Sequence, residues 1–187
     1  MCSRRKYRSN LETSNIAYWM IRVMHDNPIL ALVRNPYKLL HGAGIKKSQK
    51  VVEVGCGPGF FTIPAARIVG NEGHIYAFDV HPRAVGRMRK KIEKEALENI
   101  TALCVNASNT ELPGASVDLA FLFGLRYIAG GLENVITELH RVLKPGGILS
   151  FEKTRGSEKE LIEEVERGRF SFTGKRGRIF LFTKKGE

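Results

Sequence analysis

The chain has 187 residues, of which 43% are hydrophobic, and a formal net charge of +11, as expected for one basic domain with a substantial core. No apolar run approaches the ~18 residues of a membrane span, and no apolar signal segment follows the charged N-terminus. Three widely spaced cysteines, Cys2, Cys56 and Cys104, fit neither a disulfide framework nor a metal-binding set. We therefore expect a cytoplasmic protein without a metal site.

The N-terminal part of the chain differs in charge from the part that follows. Residues 1–50 hold ten Lys or Arg against two acids. A helical apolar stripe is formed there by Ile16, Trp19, Met20 and Val23, and a second short helix is expected from Pro36 to about Gly42. We interpret residues 1–44 as a helical lid segment ahead of a domain at 45–187. The excess charge can attract RNA or anionic lipid, or simply keep the protein soluble.

From Lys50 onward, short apolar strands alternate with segments of helical period, which is typical of a parallel sheet covered by helices. The predicted strands are 51–54, 74–80, 100–107, 116–123 and 148–153. The predicted helices are 60–69, 82–98, 132–142 and 158–168, the last of them capped by Ser157. KPGG at 144–147 is interpreted as a break before the fifth strand. Two alternating runs within 170–183 predict a β-hairpin of antiparallel edge strands.

A glycine-rich turn directly follows the first strand. It comprises Gly55, Cys56, Gly57, Pro58, Gly59 and Phe60. Glycines let the backbone approach a ligand, and the next helix begins with free N–H groups. The turn could hold a pyrophosphate or the carboxylate of an amino-acid-like cofactor. Phe60 stands where the dinucleotide fingerprint requires glycine, and Glu53 would repel a diphosphate but can pair with an ammonium group. These two residues favour the amino-acid-like cofactor.

At this turn the chain resembles the class I S-adenosylmethionine-dependent methyltransferases, especially the methyltransferase-11/UbiE-like group. Their first motif, acidic-x-G-x-G-x-G, is matched from Glu53 to Gly59, and the resemblance extends over about residues 45–183. Asp79 ends the second strand, where the family's acidic residue holds both ribose hydroxyls. Asn106-Ala107 ends the third strand, where the family usually has Asp-Ala and binds the adenine amino group. The segment 139–149 looks like the family's structural helix-turn-strand motif.

The resemblance implies a Rossmann-like, doubly wound, seven-stranded mixed sheet of order 3-2-1-4-5-7-6 in a three-layer α/β/α domain. It also implies S-adenosyl-L-methionine as cofactor and S-adenosyl-L-homocysteine as product. The implied cofactor-binding residues are Glu53, Gly55, Cys56, Gly57, Pro58, Gly59, Phe60, Asp79, Val80, Asn106, Ala107 and Phe123. The family has no universal catalytic residue, and none is assigned here. His81 either flanks the adenosine or caps the next helix.

The acceptor is expected above the carboxyl ends of the strands, beside the loop 124–131. Three residues are candidates for contact with it: Tyr18, Arg126 and Tyr127. Sequence signatures of nucleic-acid base, catechol-type and arsenic methyltransferases are absent, as is the N-terminal tyrosine-aspartate-rich signature of quinone-biosynthesis members, which favours another small-molecule acceptor. An RNA acceptor is the alternative, supported by the basic N-terminal flank, RMRKK at 87–91 and KRGR at 175–178. A non-catalytic scaffold that binds S-adenosylmethionine is the third possibility. Oligomeric state is left open.

Overall fold

The computed structural model describes residues 34–125, 127–153 and 156–186. The helices of this part are α1 (Pro36–Ala43), α2 (Thr62–Val69), α3 (Pro82–Lys94), α4 (Leu132–Val142) and α5 (Glu158–Arg167). The strands are β1 (Lys50–Val54), β2 (His74–Phe78), β3 (Ile100–Leu103), β4 (Val117–Leu122), β5 (Leu143–Glu152), β6 (Phe170–Arg176) and β7 (Ile179–Lys184). None of the helices among the described residues is long and apolar enough to cross a lipid bilayer.

The seven strands form one sheet in the order β3-β2-β1-β4-β5-β7-β6. Strands β1 to β5 are parallel, whereas β7 is antiparallel to both β5 and β6. The predicted fold class and strand order are therefore confirmed. Because the first five strands are parallel, their carboxyl ends lie along one edge of the sheet, and β1 lies in the middle of that edge.

Both faces of the sheet are covered, and β1 shows how the sequence achieves this. Val51 belongs to the apolar core on the side of α1, α2 and α3, whereas Val52 and Val54 belong to the core on the side of α4 and α5. Successive side chains of a strand point to opposite faces. A nearly continuous apolar run is therefore needed in a strand that packs helices on both sides.

Side-chain caps fix where three of the helices begin. The Asn35 side chain accepts a hydrogen bond from the Lys38 amide at the start of α1, and the Ser157 hydroxyl accepts one from the Glu160 amide at the start of α5. At α3, His81 Nδ1 accepts from the Arg83 amide at 3.2 Å. His81 is thus a helix cap, which was one of the two roles expected for it.

Several boundaries differ from the sequence-based prediction. Helix α2 begins at Thr62 rather than 60, because the glycine-rich turn continues further than expected. Helix α3 ends at Lys94 rather than 98, since Ala96 adopts a φ of 49° and Asn99 Nδ2 donates to the carbonyls of Ala66 and Gly70, which fixes the start of β3. Strand β3 ends at Leu103 rather than 107 because its pairing with β2 stops there.

The prediction that KPGG breaks the chain before the fifth strand was wrong. Leu143 already pairs with Val117, and pairing resumes between Ile148 and Leu119. The intervening residues form an irregularity inside β5, with Gly146 at a φ of 71°. A bulge accommodates extra residues without ending a strand, so the glycines mark a bulge here rather than a strand boundary.

The loop between β3 and β4 is held by a buried carboxylate on α4. Glu138 accepts hydrogen bonds from the amide and hydroxyl of Thr110, at 2.8 and 2.6 Å, and from Arg141 at 2.8 Å. Burial raises the pKa of Glu138, but the hydrogen bonds from Arg141 and Thr110 outweigh it and hold the pKa below its ordinary value. The crossing loop is therefore attached to the helix that lies over it.

We expect Glu138→Ala to lower the free energy of unfolding by about 1–3 kcal/mol, because buried donors of Thr110 lose their acceptor. A carboxylate with a lowered pKa stabilises the fold above its ordinary pKa and loses this effect as the pH falls through its folded-state value. Urea denaturation at several pH values should show the difference from the unsubstituted protein shrinking in acid. A difference that grows in acid would contradict this account.

Candidate cofactor site

The three glycines of the turn after β1 all have positive φ, at 75°, 52° and 95° for Gly55, Gly57 and Gly59. A Cβ on Gly55 would overlap the Leu125 side chain, and one on Gly59 would lie 2.7 Å from Met88 Sδ. A Cβ on Gly57 would meet nothing within 4 Å. Gly55 and Gly59 are therefore required by packing within the protein, whereas Gly57 borders open space that a ligand can enter.

Asp79, at the end of the neighbouring strand β2, is hydrogen-bonded to this turn. The Gly57 amide donates to Asp79 Oδ2 at 2.9 Å, and the His81 amide donates to Oδ1 at 2.8 Å. Burial raises the pKa of Asp79, and these backbone hydrogen bonds oppose the rise. Each carboxylate oxygen has a second lone pair that can accept from a ligand hydroxyl. Asp79 is thus fixed in position without losing its capacity to bind.

Glu53 lies in β1 with 2% of its surface exposed. The hydroxyl of Thr62, at the start of α2, donates to Glu53 Oε2 at 2.5 Å. Burial raises the pKa of Glu53 to about 8; the Thr62 hydrogen bond opposes this rise and the nearby Asp79 carboxylate adds to it. Glu53 is therefore mostly protonated at neutral pH, and a cationic ligand group nearby would favour its ionised form.

The side chains of the remaining turn residues are buried or half-buried within the protein. Cys56 is buried, and burial raises the pKa of its thiol well above the ordinary value, so the group stays neutral. Pro58 is also buried. Phe60 is half-buried and makes an edge contact with Phe61 at 4.9 Å between ring centroids.

Asn106 and Ala107 follow β3, two strands away from the turn. Asn106 Oδ1 accepts from the Ser108 amide at 3.0 Å, and its Nδ2 is buried and makes no hydrogen bond within the described residues. A Cβ on Gly130 would lie 2.7 Å from this Nδ2, so the segment before α4 lies directly against the amide. Asn106 therefore presents an N–H donor where a carboxylate would present an acceptor.

The other predicted site residues separate into three groups. Val80 follows Asp79, and its carbonyl accepts a weak 3.8 Å hydrogen bond from the Cys104 thiol. Phe123 follows β4, and its ring is buried against Phe61 and Phe121, so the ring contributes packing. Tyr127 is 62% exposed in the loop that follows. Tyr18 and Arg126 lie outside the described residues.

The structure also brings together polar residues that the sequence did not single out. Glu152, at the carboxyl end of β5, is 4% exposed, accepts from the Gly124 amide at 3.0 Å and forms an ion pair with Arg34. The Arg34 guanidinium lies 5.1 Å from the centroid of the Phe61 ring. The sequence did contain one indication of Glu152, because this acid ends an apolar strand in the same way that Asp79 directly follows one. Its partner, 118 residues away, was not predictable.

Comparison with known proteins identifies the family. A family model described as a methyltransferase domain matches residues 45–176. The chain belongs to this methyltransferase family. It is similar to a demethylmenaquinone methyltransferase of Geobacillus stearothermophilus, 34% identical over 105 residues (56% of this chain and 44% of that protein). It is also similar to a sterol 24-C-methyltransferase of Gibberella zeae, 36% identical over 120 residues (63% and 31%).

The fold of the chain is also similar to that of a solved methyltransferase. A crystal structure of a S-adenosylmethionine-dependent methyltransferase from Aquifex aeolicus has a TM-score of 0.76 and 25% identity, and the match covers 89% of this chain and 96% of that one. The chain spans less than half the length of the two curated relatives. The predicted family, the Rossmann-like fold and S-adenosylmethionine as the cofactor are confirmed.

The residues on this edge of the sheet fit that cofactor. Gly57 borders open space and Asp79 offers acceptors for hydroxyl groups, whereas the Nδ2 of Asn106 is covered by the segment before α4. No group of three or more His, Cys, Asp or Glu side chains suited to a metal ion occurs among residues 34–125, 127–153 and 156–186.

Substitution of the glycines should separate binding from folding. We expect Gly57→Ala to cost about 1–2 kcal/mol of stability, because its φ is positive, and to abolish binding of S-adenosylmethionine by filling the open space. Gly59→Ala should destabilise the protein further, since its Cβ also meets Met88. Urea denaturation measures the first effect and calorimetry the second. Cofactor binding by Gly57→Ala at unchanged affinity would show that the ligand does not approach this glycine.

Burial of Glu53 makes stability depend on pH. An acid whose pKa is raised in the folded state destabilises the protein as the pH rises from the acid's ordinary pKa toward its folded-state pKa. For Glu53 this window extends from 4.5 to about 8. Glu53→Gln keeps an oxygen for Thr62 and removes the titration. The cofactor-free variant should therefore gain stability relative to the unsubstituted protein, by on the order of 1–4 kcal/mol, across this window. Parallel stability curves in urea would contradict the burial of an ionisable group.

Proposed function

We propose that this protein transfers the methyl group of S-adenosylmethionine to a small-molecule acceptor. The observation that carries the proposal is the hydrogen bond between Asp79 and the Gly57 amide, which holds a carboxylate beside the open part of the glycine turn. The named activities of the relatives, on demethylmenaquinone and on a sterol, support a small-molecule acceptor.

Each binding residue has a role that follows from its chemistry. Asp79 accepts hydrogen bonds from the ribose hydroxyls, and Glu53 favours the cofactor's ammonium group once ionised. The backbone of Gly55 to Phe60 admits the amino-acid end, with Cys56 and Pro58 as packing within that turn. Val80, Asn106, Ala107 and Phe123 complete the binding set, with Asn106 on the adenine.

The bound cofactor supplies an electrophilic methyl carbon through its sulfonium group. The protein's part is to orient the acceptor and to exclude water, and orientation alone is worth roughly 7–11 kcal/mol. We place the acceptor over the end of β4, in contact with Tyr18, Arg126 and Tyr127. Residues 1–44 serve as a cover, which is supported by the ion pair that ties Arg34 to Glu152 at the end of β5.

An RNA acceptor is less well supported. Within the basic run 87–91, Met88 is buried in the core, and Arg89 donates through Nε and Nη2 to the Ala102 carbonyl at 3.2 and 2.9 Å. Part of this run therefore serves the fold rather than forming a continuous phosphate-binding surface. A non-catalytic scaffold is distinguished from an enzyme by the experiments below.

Cofactor binding is tested through Asp79. Ligand at a hundredfold excess over its dissociation constant should stabilise the protein by about 2.7 kcal/mol. Asp79→Ala should lose most of this stabilisation. Asp118→Ala is the matched control, because Asp118 also accepts a backbone amide hydrogen bond, from Lys50, but at the opposite end of β1. An equal loss in both variants would remove the assignment of Asp79 to the ribose.

Methyl transfer is tested by a screen of small metabolites and RNA with radiolabelled S-adenosylmethionine. We expect label to appear in a small molecule and to disappear with Asp79→Ala. Label in RNA would replace the small-molecule proposal by the RNA alternative. Cofactor binding without label transfer to any acceptor in the screen would favour the scaffold.

A further inference from the structure

A concave basic surface lies beside the proposed acceptor position, at the turn of the β6–β7 hairpin. Ile179 of β7 pairs with Glu152 of β5, and the Lys153 amide donates to the Arg178 carbonyl at 3.1 Å. Because β7 is antiparallel to β5, the hairpin turn lies at the same edge of the sheet as the carboxyl ends of the parallel strands. The basic residues of the turn are therefore next to the edge of the sheet at which we propose methyl transfer.

This surface contains a cavity of about 220 Å³, which we name the hairpin cavity. Its charged lining residues are Lys153, Lys175, Arg178 and Glu158. Lys175 forms an ion pair with Glu158 and lies 5.0 Å from the centroid of the Phe180 ring, which forms another part of the lining. Three cations thus share the cavity with one carboxylate, so its lining carries excess positive charge.

An anion placed between several cationic side chains is attracted to each of them. Phosphate and carboxylate groups form strong charge-assisted hydrogen bonds with Lys and Arg. The small volume suits one anionic group rather than a nucleic-acid strand. The chemistry of the hairpin cavity therefore indicates a single phosphate or carboxylate as its ligand.

The strand order gives the separation, along the sheet, between the end of β4 and the hairpin turn. Strand β5 lies between β4 and β7, and neighbouring strands are about 4.8 Å apart. The end of β4 and the hairpin turn are therefore separated by about 10 Å, which a small metabolite can span.

We infer that the hairpin cavity is an anion subsite of the acceptor site, and that the acceptor carries a phosphate or carboxylate at a distance from the atom that is methylated. This inference rests on the proposed methyl transfer and narrows its acceptor class. It separates the acceptor of this chain from uncharged lipids such as sterols.

The subsite is tested with inorganic phosphate and with acetate, by following the backbone amide resonances of Gly156 and Gly177, which line the cavity. Both titrations should saturate, with dissociation constants of about 1–10 mM. Tighter binding of phosphate would indicate a phosphorylated acceptor, and tighter binding of acetate a carboxylated one. Shifts that do not saturate with either anion would overturn the inference.

Matched double variants distinguish anion binding in the hairpin cavity from attraction to the positive charge of the whole protein. Lys153→Ser with Arg178→Ser should weaken anion binding by about tenfold. Lys90→Ser with Lys94→Ser removes the same charge from the exposed face of α3 and should leave binding within about twofold. Glu158→Gln should strengthen it, because Lys175 loses its competing partner. Equal weakening in both double variants would overturn the subsite.

Two further outcomes keep this inference distinct from the proposed function. Stabilisation by S-adenosylmethionine should be unchanged in the Lys153→Ser, Arg178→Ser variant, which also shows that the variant is folded. Absence of that stabilisation in the unsubstituted protein would reject methyl transfer, whatever the phosphate result. A short single-stranded RNA that both double variants weaken equally, while phosphate does not bind, would replace the subsite by a general nucleic-acid surface.

Discussion

The hydrogen bond from the Gly57 amide to the Asp79 carboxylate joins the two strand ends on which the site depends. Asp79 is partly buried beside another carboxyl group, Glu53, and such a pair is unfavourable when both are ionised. The backbone donors of Gly57 and His81 offset this cost at Asp79. These donors favour the ionised form of Asp79, which its burial opposes, whereas Glu53 is protonated when no cation is near.

The same geometry explains why the three glycines are not equivalent. Gly55 lies against Leu125 from the loop after β4, and Gly59 lies against Met88 from α3. These contacts hold the turn between two neighbouring elements, and Gly57 between them faces outward. A turn fixed on both sides does not have to be ordered when its ligand arrives, which lowers the entropic cost of binding.

The sequence predicted those parts of the molecule that are determined by local pattern. Helix α4 was predicted to the residue because its apolar positions recur at helical spacing. Glu53 and Asp79 were identified because they match the acidic positions of the methyltransferase motifs. The end of α3 was missed, since the helical composition of residues 95–98 is overridden by hydrogen bonds of Asn99 to α2 and its cap. The Arg34–Glu152 pair was missed because only the folded chain brings its members together.

The position of the Arg89 side chain affects how one molecule can associate with another. Strand β3 is an outer strand of the sheet, and its Ala102 carbonyl is bound by the Arg89 guanidinium from α3. An unprotected outer strand is a template on which another chain can add a strand. A strand added at this position would have to displace the Arg89 guanidinium from the Ala102 carbonyl. The helix that covers the sheet therefore also opposes the pairing of another chain with its outer strand.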